Sequence, residues 1–333
     1  MIHTVRTTLN PGCYHGHRRQ PPFFEGWYYK LVDASQKNRV AIIPGIFLSE
    51  DPDKHHAFVQ YLDGQTGYST YHRYPADEFW AADGEFDLRI GPNRFTAEQL
   101  TLAISSEEIT IRGQLGFEGI TPWPVSLISP GIMGWYAWVP FMECYHGVVS
   151  LDHAIKGVLE VQNRSIDMSG GRGYIEKDWG RSFPSAWIWF QTNHFAQPGT
   201  SLTASVANIP WLRGSFPGFI IGLWLDGKLY RFATYTGARI AALEIDDERV
   251  IWTVHDKRHR LEMQAVRARG GLINAPTTGD MGRRIAETLD ATVDVRLLAT
   301  GHGQERVVFE GTGRHAGLEA VGDLAHLRTT LAP

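Results

Sequence analysis

FIIGLWLDGKLYRFATY, residues 219–235, decides the class of fold. An apolar run, an Asp-Gly pair and a second alternating run read as strand, tight turn, strand, because Asp-Gly accepts the backbone angles of a two-residue hairpin turn. Asp63-Gly64 inside FVQYLDGQTGYSTY predicts a second hairpin of the same kind. Outward from these, runs such as RVAIIPGIFL, QLTLAI, EITIRGQL, SLTASVANI, RVIWTV and ATVDVRLL return at short intervals, divided by Gly, Asp, Asn or Pro. This is the pattern of antiparallel sheets. Short helical pieces are allowed, MGRRIAET, residues 281–288, among them.

The two hairpins sit inside a longer match between the halves of the chain. EGWYYKLVD, RVAIIP, YLDGQTGYSTY and GGRGYIEKDWG find counterparts, in the same order, in SAWIWFQTN, SLTASVANIP, WLDGKLYRFATY and GTGRHAGLEAVG. An order kept across four elements predicts a duplicated unit. The expectation is an all-β chain of two antiparallel β-barrel or sandwich lobes, residues 1–172 and 173–333. A length of 333 residues supports two such cores, and curved sheets of this kind can enclose a small ligand.

Composition removes several function classes. A net charge of -4 with scattered basic residues leaves no electrostatic footprint for nucleic acid. Cys13 and Cys144 are the only cysteines, too few for a disulfide framework or a Cys-based zinc site. With an N-terminal stretch that resembles neither a signal nor a transit peptide, a cytoplasmic location is expected. His15 with His17, His55 with His56, and His255 with His259 each lack a third ligand at suitable spacing, so no metal is expected. No G-x-S-x-G, P-loop or H-E-x-x-H motif occurs, and GTGRHAG near the C-terminus is read as a turn between strands. The uncharged stretch from Gly119 to Met142 has the length of a membrane span, but Pro122, Pro124, Pro130 and Pro140 break it. It is either a buried crossover or a loop whose Trp135, Tyr136 and Trp138 meet a membrane interface or a greasy ligand.

Four carboxylates are embedded in aromatic or apolar sequence: Glu25 in FFEGWYYK, Glu143 in VPFMECYHG, and Glu176 and Asp178 in GYIEKDWG. Such surroundings raise a carboxyl pKa and fit it to donate a proton. The alternative is an ion-pair role, Glu176 with Lys177 or Arg181 and Glu25 with Lys30 or Arg19. In WIWFQTN, Trp187 and Trp189 fall on one face of a strand and Ile188 and Phe190 on the other, so two indoles can wall a cavity or simply fill the space between sheets. Indole faces also attract cations.

Four stretches, GCYHGHRRQPPFFEGWYYK, VPFMECYHG, GYIEKDWGRSFPSAWIWFQTNHF and INAPTTGDMG, resemble the tocopherol cyclase family. Two positions depart from the plant members, with Asp178 in place of asparagine and Thr192 in place of cysteine. The resemblance implies a lipocalin-like, two-lobed β fold and closure of a chromanol ring on a prenylated hydroquinone, with no cofactor. In that reaction a phenol hydroxyl adds to the prenyl alkene and a proton goes to the less substituted carbon. Asp178 or Glu176 is then the expected proton donor, with Glu25 and Glu143 as alternative acids. Tyr145, His146 and Asn193 are expected to position or deprotonate the phenol. Trp27, Tyr29, Trp187, Trp189 and Gln191 are the expected lining, and Trp135 and Trp138 an entrance. The expected partner is a hydrophobic prenylated molecule, with peripheral membrane contact as the route to it. A carrier of a hydrophobic metabolite, or a hydratase or isomerase of a terpenoid alkene, would use the same cavity.

Overall fold

The computed structural model describes residues 2–212, 214–301 and 304–329. The chain divides into two compact units, Met1–Phe183 with Gly271–Ile285, and Pro184–Gly270 with Ala286–Pro333. Both are built from antiparallel strands, as the period-two patterning predicts.

The first unit opens with β1 (Phe23–Val32), β2 (Arg39–Leu48), β3 (His56–Asp63) and β4 (Ser69–Pro75). Short strands β5 (Phe79–Ala81), β6 (Asp87–Ile90) and β7 (Asn93–Thr96) follow, then β8 (Gln99–Ser105), β9 (Thr110–Glu118), β10 (Cys144–Val161), β11 (Arg164–Asp167) and β12 (Arg172–Gly180). They form one sheet in the order β4-β3-β2-β1-β12-β10-β9-β8-β7-β6-β5, with β11 on β10.

The second unit uses β13 (Trp187–Thr192), β14 (Ser201–Trp211), β15 (Gly214–Leu225), β16 (Lys228–Ala233), β17 (Arg239–Ile245), β18 (Arg249–His255) and β19 (His259–Val266). After β20 (Gly271–Ala275), which packs on β3 and β4 of the first unit, come β21 (Arg283–Gly301) and β22 (Gln304–Val321). Its sheet runs β16-β15-β14-β13-β22-β21-β19-β18-β17. The first part of this order repeats that of the first sheet, with β13, β14, β15, β16 and β22 standing where β1, β2, β3, β4 and β12 stand. These are the elements whose sequences echo one another.

Three expectations change in detail. The division falls after Phe183, not at 172/173, because β12 is hydrogen-bonded between β1 and β10 and cannot leave the first sheet. MGRRIAET is not helical: β21 starts at Arg283, and Ile285, Glu287 and Leu289 turn inward at every second residue, a period no helix provides. The two Asp-Gly sites also differ. Asp226 and Gly227 take φ of 51° and 74°, the tight turn expected. At Asp63 the loop is longer: its carboxylate accepts from the amides of Gln65 (2.8 Å) and Thr66 (3.1 Å), and Gly67 supplies the positive φ.

Candidate active site

Successive residues of a strand point to opposite faces, so β12 carries two separate chemistries. Ile175, Lys177 and Trp179 face one way; Tyr174, Glu176 and Asp178 face the other.

On the first face Lys177 is fully buried and its ammonium lies 4.5 Å from the ring centre of Trp27 and 4.7 Å from that of Trp179. It donates to the Glu25 carboxylate, to the Cys13 carbonyl at 2.6 Å and to His15 Nδ1 at 3.0 Å. Glu25 also accepts from the His15 amide at 2.9 Å. Burial alone would raise the Glu25 carboxyl; the Lys177 charge, together with the hydrogen bonds from His15 and Lys177, outweighs it and holds the group below the usual carboxylate range. His15 donates from Nε2 to the Thr7 carbonyl at 3.1 Å and stacks on Trp179 at 4.1 Å. Burial and the Lys177 charge keep its ring neutral. Glu25 is therefore an ionised partner of Lys177. Trp27 and Tyr29 share this interior face. Trp27 donates to the Gly12 carbonyl at 2.9 Å and Tyr29 to that of Thr96 at 2.7 Å, among Phe86, Phe95 and Phe117.

On the opposite face β10 places His146 directly across from Asp178. His146 Nδ1 is 2.9 Å from the Asp178 carboxylate, and Nε2 is 3.5 Å from that of Glu176. The buried Tyr174 hydroxyl donates to Glu176 at 2.5 Å. Burial would lower the His146 pKa, but the Asp178 and Glu176 charges, with the Asp178 hydrogen bond, raise it to about 9. At neutral pH the site therefore holds an imidazolium between two carboxylates, with Asp178 27% exposed. The proton available for transfer is the one held on His146. In an NMR titration the His146 ring is expected to stay protonated through neutral pH and lose its proton near pH 9. Asp178→Asn, by removing a negative charge, should move that titration downward; an unmoved midpoint would refute the assignment.

One imidazole and two carboxylates with ligand atoms within 4.8 Å of one another also fit a divalent cation. None of the three belongs to the histidine pairs singled out in the sequence.

An apolar patch adjoins the triad on the same face. Phe24, Phe47, Phe58 and Met281 form a cluster joined by Ile43, Tyr71, Cys144 and Phe183. Cys144 lies two residues before His146 and so shares its face. The INAPTTGDMG stretch thus contributes Met281 here.

Of the remaining candidates, Glu143 accepts from the Ser182 hydroxyl at 2.9 Å. Tyr145 points away from His146, stacks on Trp179 at 5.4 Å and donates to the Val139 carbonyl at 2.5 Å. Trp135 and Trp138 lie on the 3-10 helix Gly134–Trp138; Trp135 is 46% exposed and Trp138 donates to the Leu127 carbonyl at 2.9 Å. Among the described residues no helix is long and apolar enough to cross a membrane. Trp187, Trp189, Gln191 and Asn193 are buried in the second unit. Ile188 and Phe190 enter that unit's core with Trp252, so the indoles occupy the other face of β13, as the alternation predicts. Trp187 Nε1 donates to Glu319 at 2.6 Å. Tyr174 is not among the residues read from the sequence, although counting every second residue from Asp178 reaches it; Lys177 is read there as an ion-pair partner of Glu176, whereas it pairs with Glu25 on the other face of the strand.

Residues 110–322, most of the chain, match the family described as Tocopherol cyclase-like. The chain belongs to this family. Chloroplastic tocopherol cyclase from Zea mays is 28% identical over 153 residues, covering 43% of this chain and 31% of that protein. A chloroplastic protein from Oryza sativa subsp. japonica, described as a probable tocopherol cyclase, is 25% identical over 209 residues, covering 57% and 42%. The match to this tocopherol cyclase-like chain thus spans less than half of either relative. Among solved structures, a protein described as AttH from Nitrosomonas europaea aligns with TM-score 0.54 at 15% identity, over 93% of this chain and 94% of that one. CghA in complex with Sch210972 aligns with TM-score 0.54 at 11% identity, over 91% and 89%. At such identities the likeness establishes the shared lipocalin-like fold.

Proposed function

We propose that the chain is an acid-base cyclase that closes an oxygen heterocycle on a prenylated hydroquinone. The observation that carries this reading is the His146 ring, hydrogen-bonded through Nδ1 to Asp178 and with Nε2 3.5 Å from Glu176, beside a buried apolar cluster. His146 gives its proton to the less substituted alkene carbon while the phenol oxygen bonds to the more substituted one. Asp178 takes the phenol proton and releases it to solvent, and solvent returns a proton to the ring nitrogen that gave one up, so the product is an isomer and the site is restored. Tertiary cationic character at the alkene develops beside two carboxylates, in an environment where electrostatic contacts are stronger than in water. Tyr174 orients Glu176 for this role. The family membership supports the chemistry, and the apolar patch suits the prenyl chain.

Incubation with a prenylated hydroquinone is expected to give a product of unchanged mass and altered chromatographic retention. Gain of one water would identify a hydratase, and tight binding with no product a carrier. Dialysis against EDTA is expected to leave turnover unchanged; activity lost on chelation and restored by a divalent cation would transfer the role of the proton to a metal.

A further inference from the structure

Five of the thirteen large apolar side chains exposed among the described residues fall in the loop that joins β9 to β10: Val125, Leu127, Ile128, Trp135 and Phe141. No charged residue occurs from Gly119 to Met142. The loop is firmly held. Trp123, Ile132 and Met133 are buried, and Ser126 and Ser129 exchange backbone hydrogen bonds of 3.1 and 3.2 Å that close a two-residue turn. The central positions of tight turns ordinarily carry Gly, Asn, Asp or Ser. Here they carry Leu127, 67% exposed, and Ile128, 85% exposed. The Trp138 indole donates to the Leu127 carbonyl and so sits directly behind this tip. Three residues earlier Trp135 stacks on Tyr136 at 4.0 Å.

Cationic groups flank the loop. A β-carbon on Gly131 would lie 3.6 Å from the Pro11 ring, so the segment that leads on to Arg18 and Arg19 runs alongside it. The Arg19 guanidinium stands beside the Tyr145 hydroxyl, which donates to the Val139 carbonyl where the 3-10 helix Gly134–Trp138 ends. Arg18 and Arg19 are both exposed, and among the described residues neither is ion-paired. The acids at the two ends of the loop have partners of their own: Glu118 accepts from Lys156 at 2.6 Å and Glu143 from Ser182 at 2.9 Å. Two side chains on a tight turn offer far less than the roughly 800 Å² per partner of a stable protein interface. Insertion between acyl chains needs no such complementary surface. Hydrocarbon takes aliphatic side chains, indoles settle at headgroup level, and guanidinium groups meet lipid phosphates.

We propose that this loop docks the protein on an anionic lipid bilayer, with Leu127 and Ile128 inserted below the headgroups, Trp135 and Trp138 at headgroup level, and Arg18 and Arg19 on lipid phosphates. Docking is independent of the cyclase reading, and it brings any substrate dissolved in the bilayer within reach of the chain.

The test is co-sedimentation of the full chain with vesicles of phosphatidylcholine and with vesicles of phosphatidylcholine mixed with phosphatidylglycerol. The wild-type chain is expected to bind the anionic vesicles about tenfold more tightly than the neutral ones, and to lose that preference in high salt. Leu127→Ser with Ile128→Ser is expected to weaken binding to both by at least about tenfold while the thermal unfolding midpoint stays unchanged, since both side chains already stand in water. Arg18→Gln with Arg19→Gln is expected to bring the two kinds of vesicle within about twofold. Brominated lipid should quench tryptophan fluorescence in the wild-type chain, and less so in Trp135→Phe. Absence of vesicle binding, binding that survives Leu127→Ser with Ile128→Ser, equal affinity for neutral and anionic vesicles, or fluorescence untouched by brominated lipid would overturn the proposal. Self-association of the lipid-free chain that the same double substitution abolishes would assign the tip to a second copy and overturn it too. Vesicle binding by a chain that cyclises no prenylated hydroquinone would keep the docking and remove the cyclase reading. Cyclisation of a detergent-dissolved substrate by a chain that binds no vesicles would do the reverse.

Discussion

His146→Gln is expected to lower turnover of a prenylated hydroquinone by about 10²- to 10⁴-fold, the usual loss when a positioned acid is removed. Glutamine keeps hydrogen-bonding capacity toward Asp178 and Glu176 but has no proton to give, so binding should persist while the chemical step fails. The wild-type rate should hold through neutral pH and fall as pH rises through about 9, where His146 loses its charge. The same group links pH to stability. Its folded pKa lies above the ordinary histidine value of 6.5, so the stabilisation from its two carboxylates is full below about pH 6.5 and is lost as pH climbs through about 9. Turnover that survives in His146→Gln, measured as isomer formed per enzyme under saturating substrate, would remove His146 from the mechanism.

The second large effect concerns folding. Lys177→Ala is expected to destabilise the first unit by about 3–5 kcal/mol, because it strands the ionised Glu25 in a site with no access to water. Glu25→Gln alone should do comparable damage by leaving the ammonium between Trp27 and Trp179 without its carboxylate. The double variant Glu25→Gln with Lys177→Met is expected to recover much of the loss, since neither charge then remains to be compensated. Urea denaturation of the four proteins measures this directly. Strictly additive losses would mean that the two groups do not act as a pair.

Much of the fold is legible in the chain because its signals are local. Alternation of apolar residues, the Asp226-Gly227 turn and the fourfold echo between halves each depend on neighbours in sequence, and they predict the strands and their repeated order. Long-range pairing is different. Nothing in Gly271–Ile285 announces that it belongs with the first unit; that follows from contacts such as the Gln60 side chain bonding both the amide and the carbonyl of Asn274, at 2.8 and 2.9 Å. The acids illustrate the same limit. In GYIEKDWG both alternating sets hold an aromatic residue and a charge, Tyr174 with Glu176 and Asp178 against Ile175 with Lys177 and Trp179. Composition favours neither set as the interior one. A lysine is the least expected residue in a core, and it becomes acceptable only once Glu25, the Cys13 carbonyl and two indoles from distant parts of the chain surround it. For the same reason Glu25 passes for a catalytic acid in sequence although its proton is gone.

The buried ammonium of Lys177 also acts as a pin on register. If β12 slipped by one residue against β1 and β10, every side chain would change faces, carrying Glu176 and Asp178 into the apolar interior and Lys177 out of reach of Glu25. No uncharged strand imposes so steep a penalty on the wrong alignment. The spacing of His146 from its two carboxylates is thereby inherited from an interaction on the reverse side of the strand, and variation around the reactive groups can proceed without loosening the frame that aims them.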